Sequence, residues 1–259
     1  MFSLNKMEPT MSLSTKYHGI LDYKQALAPD IIHLGIRLVE PDHLDFTAGQ
    51  YIRLDSQPYD QKPVVSRPFS LASAPQQKNR IELIIRRTAQ GVCTPWIFDH
   101  LALGQDLTFS GPLGKFKLTS GNGPILMIAG GSGMSAIWSI LQDMRARKIH
   151  RPTTCFFGAR TRNDLYFTRP IAEFVQACPW FTFIPALSEN ADNQWQGQTG
   201  LVTDVVDRLV PEASSYEAYL CGAPGMINAC KPVLLAKNIR PEHVFYDPFI
   251  EQKQDRVAP

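Results

Sequence analysis

The stretch Arg67-Pro68-Phe69-Ser70-Leu71-Ala72-Ser73 puts a cation, an aromatic ring and a hydroxyl close together. Arg67 can clamp a phosphate, Phe69 can lie against a planar ring, and Ser70 can hydrogen-bond to a ring nitrogen. In an extended chain, Arg67 and Phe69 share one face and Ser70 takes the other unless the strand bends. On residue types alone, an edge strand with a solvated arginine is an equal reading.

Three further stretches carry comparable chemistry. In Ile125-Leu126-Met127-Ile128-Ala129-Gly130-Gly131-Ser132-Gly133-Met134-Ser135 an apolar strand runs through a glycine-rich turn into a helix. Glycines let backbone approach a pyrophosphate, and a helix start offers free N–H groups. The spacing of Gly130, Gly131, Ser132 and Gly133 is not the full GxGxxG pattern, so a tight turn without ligand competes. Cys221-Gly222-Ala223-Pro224 also follows a strand and precedes a helix. Ligands of open α/β sheets collect beyond the carboxyl ends of strands, which puts this segment and the glycine-rich turn on one edge. Cys221 is then the last side chain before the crevice, or else a buried structural thiol.

The last of the three is Gly91-Val92-Cys93-Thr94, ahead of a helical segment over 95–100. Backbone N–H groups and the Thr94 hydroxyl can hold a phosphate there; Thr94 with Pro95 also reads as an N-cap and first helical residue. Ile85 and Arg86 close the preceding apolar strand, and Arg86 and Arg87 add positive charge or are simply solvated. The histidines and the five cysteines lack ligand spacing, so no metal is assigned. No Gly-x-Ser-x-Gly elbow supports serine hydrolysis.

The elements that must position these residues fall into two textures. From about 17 to 120 the chain reads as short strands over 31–38, 51–54, 67–71, 81–86 and 106–110, separated by turn residues. That pattern suggests a small antiparallel barrel or sandwich. Gly111-Pro112-Leu113-Gly114 reads as a tight turn. After a linker near 119–124, apolar runs over 125–129, 154–157, 181–185, 218–221 and 244–246 alternate with helical segments over 134–148, 169–177, 201–209 and 225–237. Repeated βα units mean a parallel sheet covered by helices on both faces. Residues 1–16 read as a flexible leader, 17–120 as the barrel and 121–259 as the α/β domain. With 259 residues, 44% hydrophobic and 19% charged, the chain has material for a sizeable core. A net charge of +2 gives no footprint for nucleic acid. No apolar run reaches bilayer length, and an odd number of scattered cysteines favours free thiols and a cytoplasmic setting.

Taken in order, these motifs resemble the ferredoxin–NADP reductase superfamily from about residue 17 to 250. The resemblance is to phenol-hydroxylase-type monooxygenase reductases and to flavin reductases. It implies a six-stranded antiparallel barrel holding FAD and a five-stranded parallel sheet binding NADH, with NADPH possible. Arg67 would contact the flavin's phosphate, Phe69 would flank its ring and Ser70 would reach N5. Pro68 belongs to the same strand, and Phe69 replaces the tyrosine of many members. Gly91, Val92, Cys93 and Thr94 match the Gly-x-x-Ser/Thr element for the FAD pyrophosphate. Gly130, Gly131, Ser132 and Gly133 match the nicotinamide dinucleotide turn. Cys221-Gly222-Ala223-Pro224 resembles the family's Cys-Gly-Pro-Pro motif, with Cys221 near the nicotinamide, and Phe249 is the aromatic expected on the other flavin face.

Ser70 and Cys221 are thus the expected catalytic pair. Ser188 and Glu189 stand where NADP-specific members grip the 2′-phosphate. Glu189 would repel that phosphate, whereas Arg160 and Arg162 keep NADPH possible. The closely spaced cysteines of the fused two-iron, two-sulfur domain are missing here, so the expected acceptor is a separate ferredoxin, an oxygenase component or a small molecule. Two alternatives stay open: a flavin reductase that releases reduced flavin, and a nucleotide-binding regulatory subunit without turnover.

Overall fold

The computed structural model describes residues 15–189 and 195–249. Positions 1–14 of the expected leader lie outside the described residues. The first strand, β1 (Lys16–Ala28), was not visible as a strand in the sequence. Its alternation is carried only by Tyr17, Gly19 and Leu21 before polar residues take over, so it never forms an apolar run. It pairs with β2 (Ile31–Glu40) and β6 (Asp106–Leu113). Strands β3 (Tyr51–Asp55), β4 (Ser66–Ser70) and β5 (Arg80–Arg86) complete an antiparallel sheet of order β4-β3-β6-β1-β2-β5.

Beyond β4, the Leu71–Leu83 bridge and the Ala72 N–H bond to Glu82 O (2.7 Å) bring the two edges together. Gly111-Pro112-Leu113 is part of β6, not a turn; the chain departs at Gly114, whose φ of +97° suits glycine. One short helix, α1 (Cys93–Asp99), packs Trp96 and Ile97 into the barrel core. Lys24 reaches its C-terminal end and donates to the carbonyls of Ile97, Phe98 and Leu101 at 2.8, 3.1 and 2.7 Å.

The second half is a parallel sheet of six strands, one more than expected. They are β7 (Ile125–Gly130), β8 (Thr153–Ala159), β9 (Phe181–Leu187), β10 (Gln198–Thr199), β11 (Glu217–Gly222) and β12 (Val244–Pro248), in the order β10-β9-β8-β7-β11-β12. The extra strand, β10, has two polar residues and pairs only with Ala186 and Leu187, too little to leave an apolar signal. Helices α2 (Met134–Ala146) and α3 (Thr168–Ala177) cover one face, and α4 (Val202–Leu209) and α5 (Pro224–Ala236) the other. Along β7, Met127 and Ala129 face the first pair of helices and Leu126 and Ile128 the second, which is why the strand reads as an unbroken apolar run. The chain turns from β7 to β8 on one side and returns to β11 on the other. The strand order therefore reverses at β7 and β11.

The two halves share one core. Ile31, Ala48, Ala72, Ile84 and Phe116 of the barrel pack into the same apolar cluster as β7 and α2. Within that contact α2 presents polar groups at helical spacing. Ser135 donates to Ile84 O at 3.0 Å, Ser139 to Ser73 O at 2.7 Å, and Gln142 to Ala72 O at 2.8 Å. Gln76 adds a bond to Asp143 at 2.9 Å. Ser135 and Ser139 are almost fully buried, so these bonds are made away from water. At the opposite end of the sheet, Glu217 accepts from Thr119, Arg151 and Tyr219 at 2.7, 2.9 and 2.8 Å. Burial alone would raise its pKa, but those donors hold it below the ordinary value and anchor the linker.

Replacing Ser139 by alanine removes a buried donor and leaves the Ser73 carbonyl short of a partner. The expected cost is about 1–3 kcal/mol in urea unfolding. Ser135→Ala and Ser139→Ala should be non-additive, since both act on one helix-to-barrel contact.

Candidate functional site

Strand β4 runs antiparallel to β3, with Arg67 opposite Leu54, Phe69 opposite Ile52 and Ser70 opposite Tyr51. Phe69 leans on the barrel core and is half-buried. Ser70 is buried, and among the described residues no group hydrogen-bonds to its hydroxyl. Arg67 donates to Ser66 O at 3.0 Å. Its charge is felt by Cys93, so the guanidinium and the start of α1 are neighbours. Burial pushes the Cys93 thiol up to about 12 against that pull, and the thiol stays neutral.

Two expectations for this region change. Helix α1 begins at Cys93 with Val92 as its N-cap, so Thr94 is inside the first turn and caps nothing. Its hydroxyl is spent on the preceding loop, accepting from Thr88 N at 2.9 Å and donating to Thr88 O at 3.2 Å. Thr94 therefore shapes the Thr88–Gly91 loop. The groups left for an anion are the N–H groups of the first turn, which have no intrahelical acceptor. Ile85 is the second change. It is 1% exposed and points into the barrel core, because alternation along β5 turns Ile84 to the other domain and Ile85 inward.

Across the junction, the glycine-rich turn and the end of β11 interlock. Gly131 has φ +53° and Gly222 φ +145°. A side chain on Gly222 would come within 2.9 Å of the Gly130 carbonyl, and one on Gly130 within 2.7 Å of Met226 Sδ. One on Gly133 would collide with the Cys221 carbonyl. The result is a backbone-lined cradle at the point where strand order reverses, followed by α2, and it fits a pyrophosphate. The single proton of the Ser135 hydroxyl is shared between Ile84 O and the Ser132 carbonyl, the latter at 2.8 Å. Tyr166 donates to Gly131 O at 2.6 Å. Tyr166 was not singled out from sequence, because it lies far from any motif and only the fold brings it to the turn. Pro224, expected as a site residue, is the first residue of α5 after Ala223 and is exposed.

Cys221 does not open into the crevice. It is fully buried in the cluster shared by the two halves, with Phe249 packed against that cluster. Burial, with Asp247 adding to it, holds its thiol well above the ordinary range. As a thiolate it does no work, and in this arrangement the side chain offers no surface to a ligand. Phe249 is tied down by its N–H, which donates to Gly222 O at 2.9 Å. Asp247 pairs in register with Cys221, and burial raises its carboxyl to about 6. Nothing in the sequence marked Asp247; only the register of β12 beside β11 brings a carboxyl to the cradle.

At the ends of β8 and β9, Arg160 and Glu189 form a two-pronged ion pair, 3.0 and 3.2 Å. The backbone adds the Glu189 N–H bond to Arg160 O at 2.8 Å and the Ser188 N–H bond to Ala159 O at 3.0 Å. Arg160 is thus already paired with a carboxylate, and Ser188 is exposed beside it. No helix among the described residues is long and apolar enough to cross a membrane, and no metal-ligating cluster occurs among them.

Comparison with known proteins agrees with this layout. Residues 18–118 match the oxidoreductase FAD-binding domain family and residues 127–232 the oxidoreductase NAD-binding domain family. The reductase component of propane 2-monooxygenase from Mycolicibacterium smegmatis is 35% identical over 233 residues, covering 87% of this chain and 66% of that protein. The corresponding component from Gordonia is 32% identical over 245 residues, covering 93% and 68%. Among solved structures, the Amycolatopsis cytochrome P450 reductase superposes with a TM-score of 0.83 at 30% identity, covering 91% of this chain and 70% of that one. The chain spans about two thirds of the length of these curated relatives.

Asp247 supplies a pH test. Its folded pKa of about 6 lies above the ordinary aspartate value. Its contribution is therefore fully present below about pH 4 and is lost as pH rises through 6. Asp247→Asn should be more stable than wild type at pH 8 by on the order of 2 kcal/mol, and the gap should close toward pH 4.5 in thermal melts.

Proposed function

The chain belongs to the ferredoxin–NADP reductase superfamily, and we propose that it is a flavoprotein reductase that oxidises NADH and passes electrons to a separate acceptor protein. The observation that carries this reading is the fixed placement of two nucleotide cradles. One is the barrel's β4 and α1 start; the other is the Gly130–Gly133 turn with Gly222, held to the barrel by α2. Bound FAD supplies the means to take two electrons as hydride and release them singly. The residues of this chain bind and orient. Arg67 and the first-turn N–H groups of α1 neutralise the flavin's phosphates. Ser70, with its unspent hydroxyl, points the flavin ring. Phe249 covers the crevice, and Asp247, close to half-protonated near pH 6, sets the charge beside the nicotinamide.

The relatives serve monooxygenase systems by name, and by that likeness the acceptor is an oxygenase component or a separate ferredoxin. Five free cysteines suit a cytoplasmic setting. We take the leader, barrel and α/β boundaries as 1–16, 17–120 and 121–259, a division supported by the separation of the two sheets in the chain. NADH is the preferred donor because Glu189 puts a carboxylate at the expected 2′-phosphate position and already pairs with Arg160. A second reading, release of reduced flavin to solution, is favoured by Thr94, whose hydroxyl is engaged by Thr88 and lost to the phosphate.

Gel filtration separates the two. Retained flavin near one FAD per chain, with NADH-dependent ferricyanide reduction, supports the electron-transfer reductase. Flavin that elutes apart supports the second reading. Arg67→Ala should lower FAD occupancy about tenfold or more while the fold survives. Glu189→Ala should free Arg160 and raise kcat/KM for NADPH relative to NADH by about 3- to 10-fold.

A further inference from the structure

Leu165-Tyr166-Phe167 leads from β8 into α3, and its two aromatic residues do different things. Tyr166 is 4% exposed and donates to Gly131 O at 2.6 Å. Burial pushes its phenol well up, so the hydroxyl remains a donor. Its neighbour Phe167 has φ +61°, a left-handed conformation that is costly for a bulky residue. Such strain persists only where the surroundings over-determine it. Here the Phe167 ring packs against Trp138 of α2 and His33 of β2, with ring centroids 5.5 and 5.6 Å apart. Tyr166 itself lies edge-on to Phe157 of β8 at 5.5 Å. On the approach from β8, Asp164 accepts from the Thr161 N–H and hydroxyl at 2.8 and 2.9 Å and closes the loop. The phenol is thus delivered to the glycine-rich turn by contacts with β8, α2 and the barrel.

The accepting oxygen belongs to the Gly131–Ser132 peptide. In a trans peptide the C=O and the N–H point in opposite directions, so fixing the Gly131 carbonyl toward Tyr166 turns the Ser132 N–H away from it. Gly131, at φ +53°, is the residue type that lets such a peptide turn over. Turned over, it would offer an anion a carbonyl oxygen in place of an N–H. The Met134 N–H bonds to the same carbonyl from within the helical run, and Tyr166 is the donor from outside it. The N–H groups of Gly131, Ser132 and Gly133 open that run and have no acceptor inside it.

We infer that Tyr166 is a positioning residue for dinucleotide binding: its hydroxyl holds the Gly131 carbonyl so that the Ser132 N–H faces the pyrophosphate on the Gly130–Gly133 turn. The inference rests on the dinucleotide reading of that turn. Tyr166 acts through the backbone rather than on the ligand. Through Phe167 and His33 it also ties the turn to the barrel by a second route besides α2.

ADP-ribose, which carries the pyrophosphate without the nicotinamide, is the probe. Calorimetric titration of the FAD-loaded protein should show Tyr166→Phe weakening ADP-ribose by about 3- to 10-fold. The ring is kept, so FAD content should stay at the wild-type level. In kinetics, KM for NADH should rise by a similar factor while kcat changes less than about twofold. Flavin reduction by a reduced N-alkylnicotinamide, which has no phosphate, should also change less than about twofold, whereas a general loosening of the site would slow it. Equal ADP-ribose affinity in wild type and Tyr166→Phe overturns the inference alone. So does a loss of rate with the phosphate-free donor as large as the loss with NADH. A Tyr166→Phe protein that sheds FAD or fails to fold overturns it too, because the hydroxyl is then structural. Failure of wild type to bind ADP-ribose overturns the dinucleotide reading as well.

Discussion

Helix α2 is bonded to the barrel from within the buried junction, and the site depends on that attachment. Its Ser135, Ser139 and Gln142 donate to carbonyls at Ile84, Ser73 and Ala72, on the segments that follow β4 and form β5. The same helix begins at the glycine-rich turn. One rigid element therefore fixes the turn of the α/β half relative to Ser70 of the barrel half. Apolar packing alone would hold the halves together, but it is non-directional and would tolerate sliding. Bonds made away from water, to carbonyls that would otherwise be unpaired, select one register. The shared cluster of Ile31, Ala48, Ala72, Ile84 and Phe116 with Met127 and Ile137 supplies the bulk of the adhesion around them.

The charges around the crevice follow from this placement. Arg67 acts within the barrel, close to the start of α1, whereas Arg86 crosses to Gly131 and Arg160 is held by Glu189 at the far strand ends. Each cation thus stands at a different segment where a dinucleotide's or flavin's anionic and polar groups would lie. The thiols contribute none of this charge. Burial holds Cys93 and Cys221 up and neutral, so their effect is packing. Asp247, in register beside Cys221, is a carboxyl whose charge changes in the range near neutrality.

Much of this was legible in the chain because the signals were local. The run from Ile125 through Gly133 into α2 is a strand, a turn and a helix in sequence order, and composition alone separates the barrel from the α/β half. What was not legible depended on pairing between distant segments. β1 is too polar to announce itself, and β10 is only two residues long. Thr94 looked like a cap because threonine before proline commonly is one, but its bond to Thr88 draws it into the first turn. Ile85 and Cys221 looked like site residues by their neighbours in sequence; alternation on β5 and closure of the shared core bury both. Asp247 and Tyr166 reach the cradle only through strand register and a hydrogen bond between distant segments of the α/β half that no local pattern encodes.

The central claim is that the two cradles face one another across a fixed junction so that a nicotinamide bound in one reduces a flavin bound in the other. Anaerobic stopped-flow mixing of the FAD-loaded protein with NADH, followed at the flavin absorbance near ~450 nm, tests it most directly. The account predicts full bleaching with one equivalent of NADH, at a rate that saturates with NADH concentration. A protein that retains FAD and binds ADP-ribose, yet whose flavin NADH leaves oxidised, would contradict it.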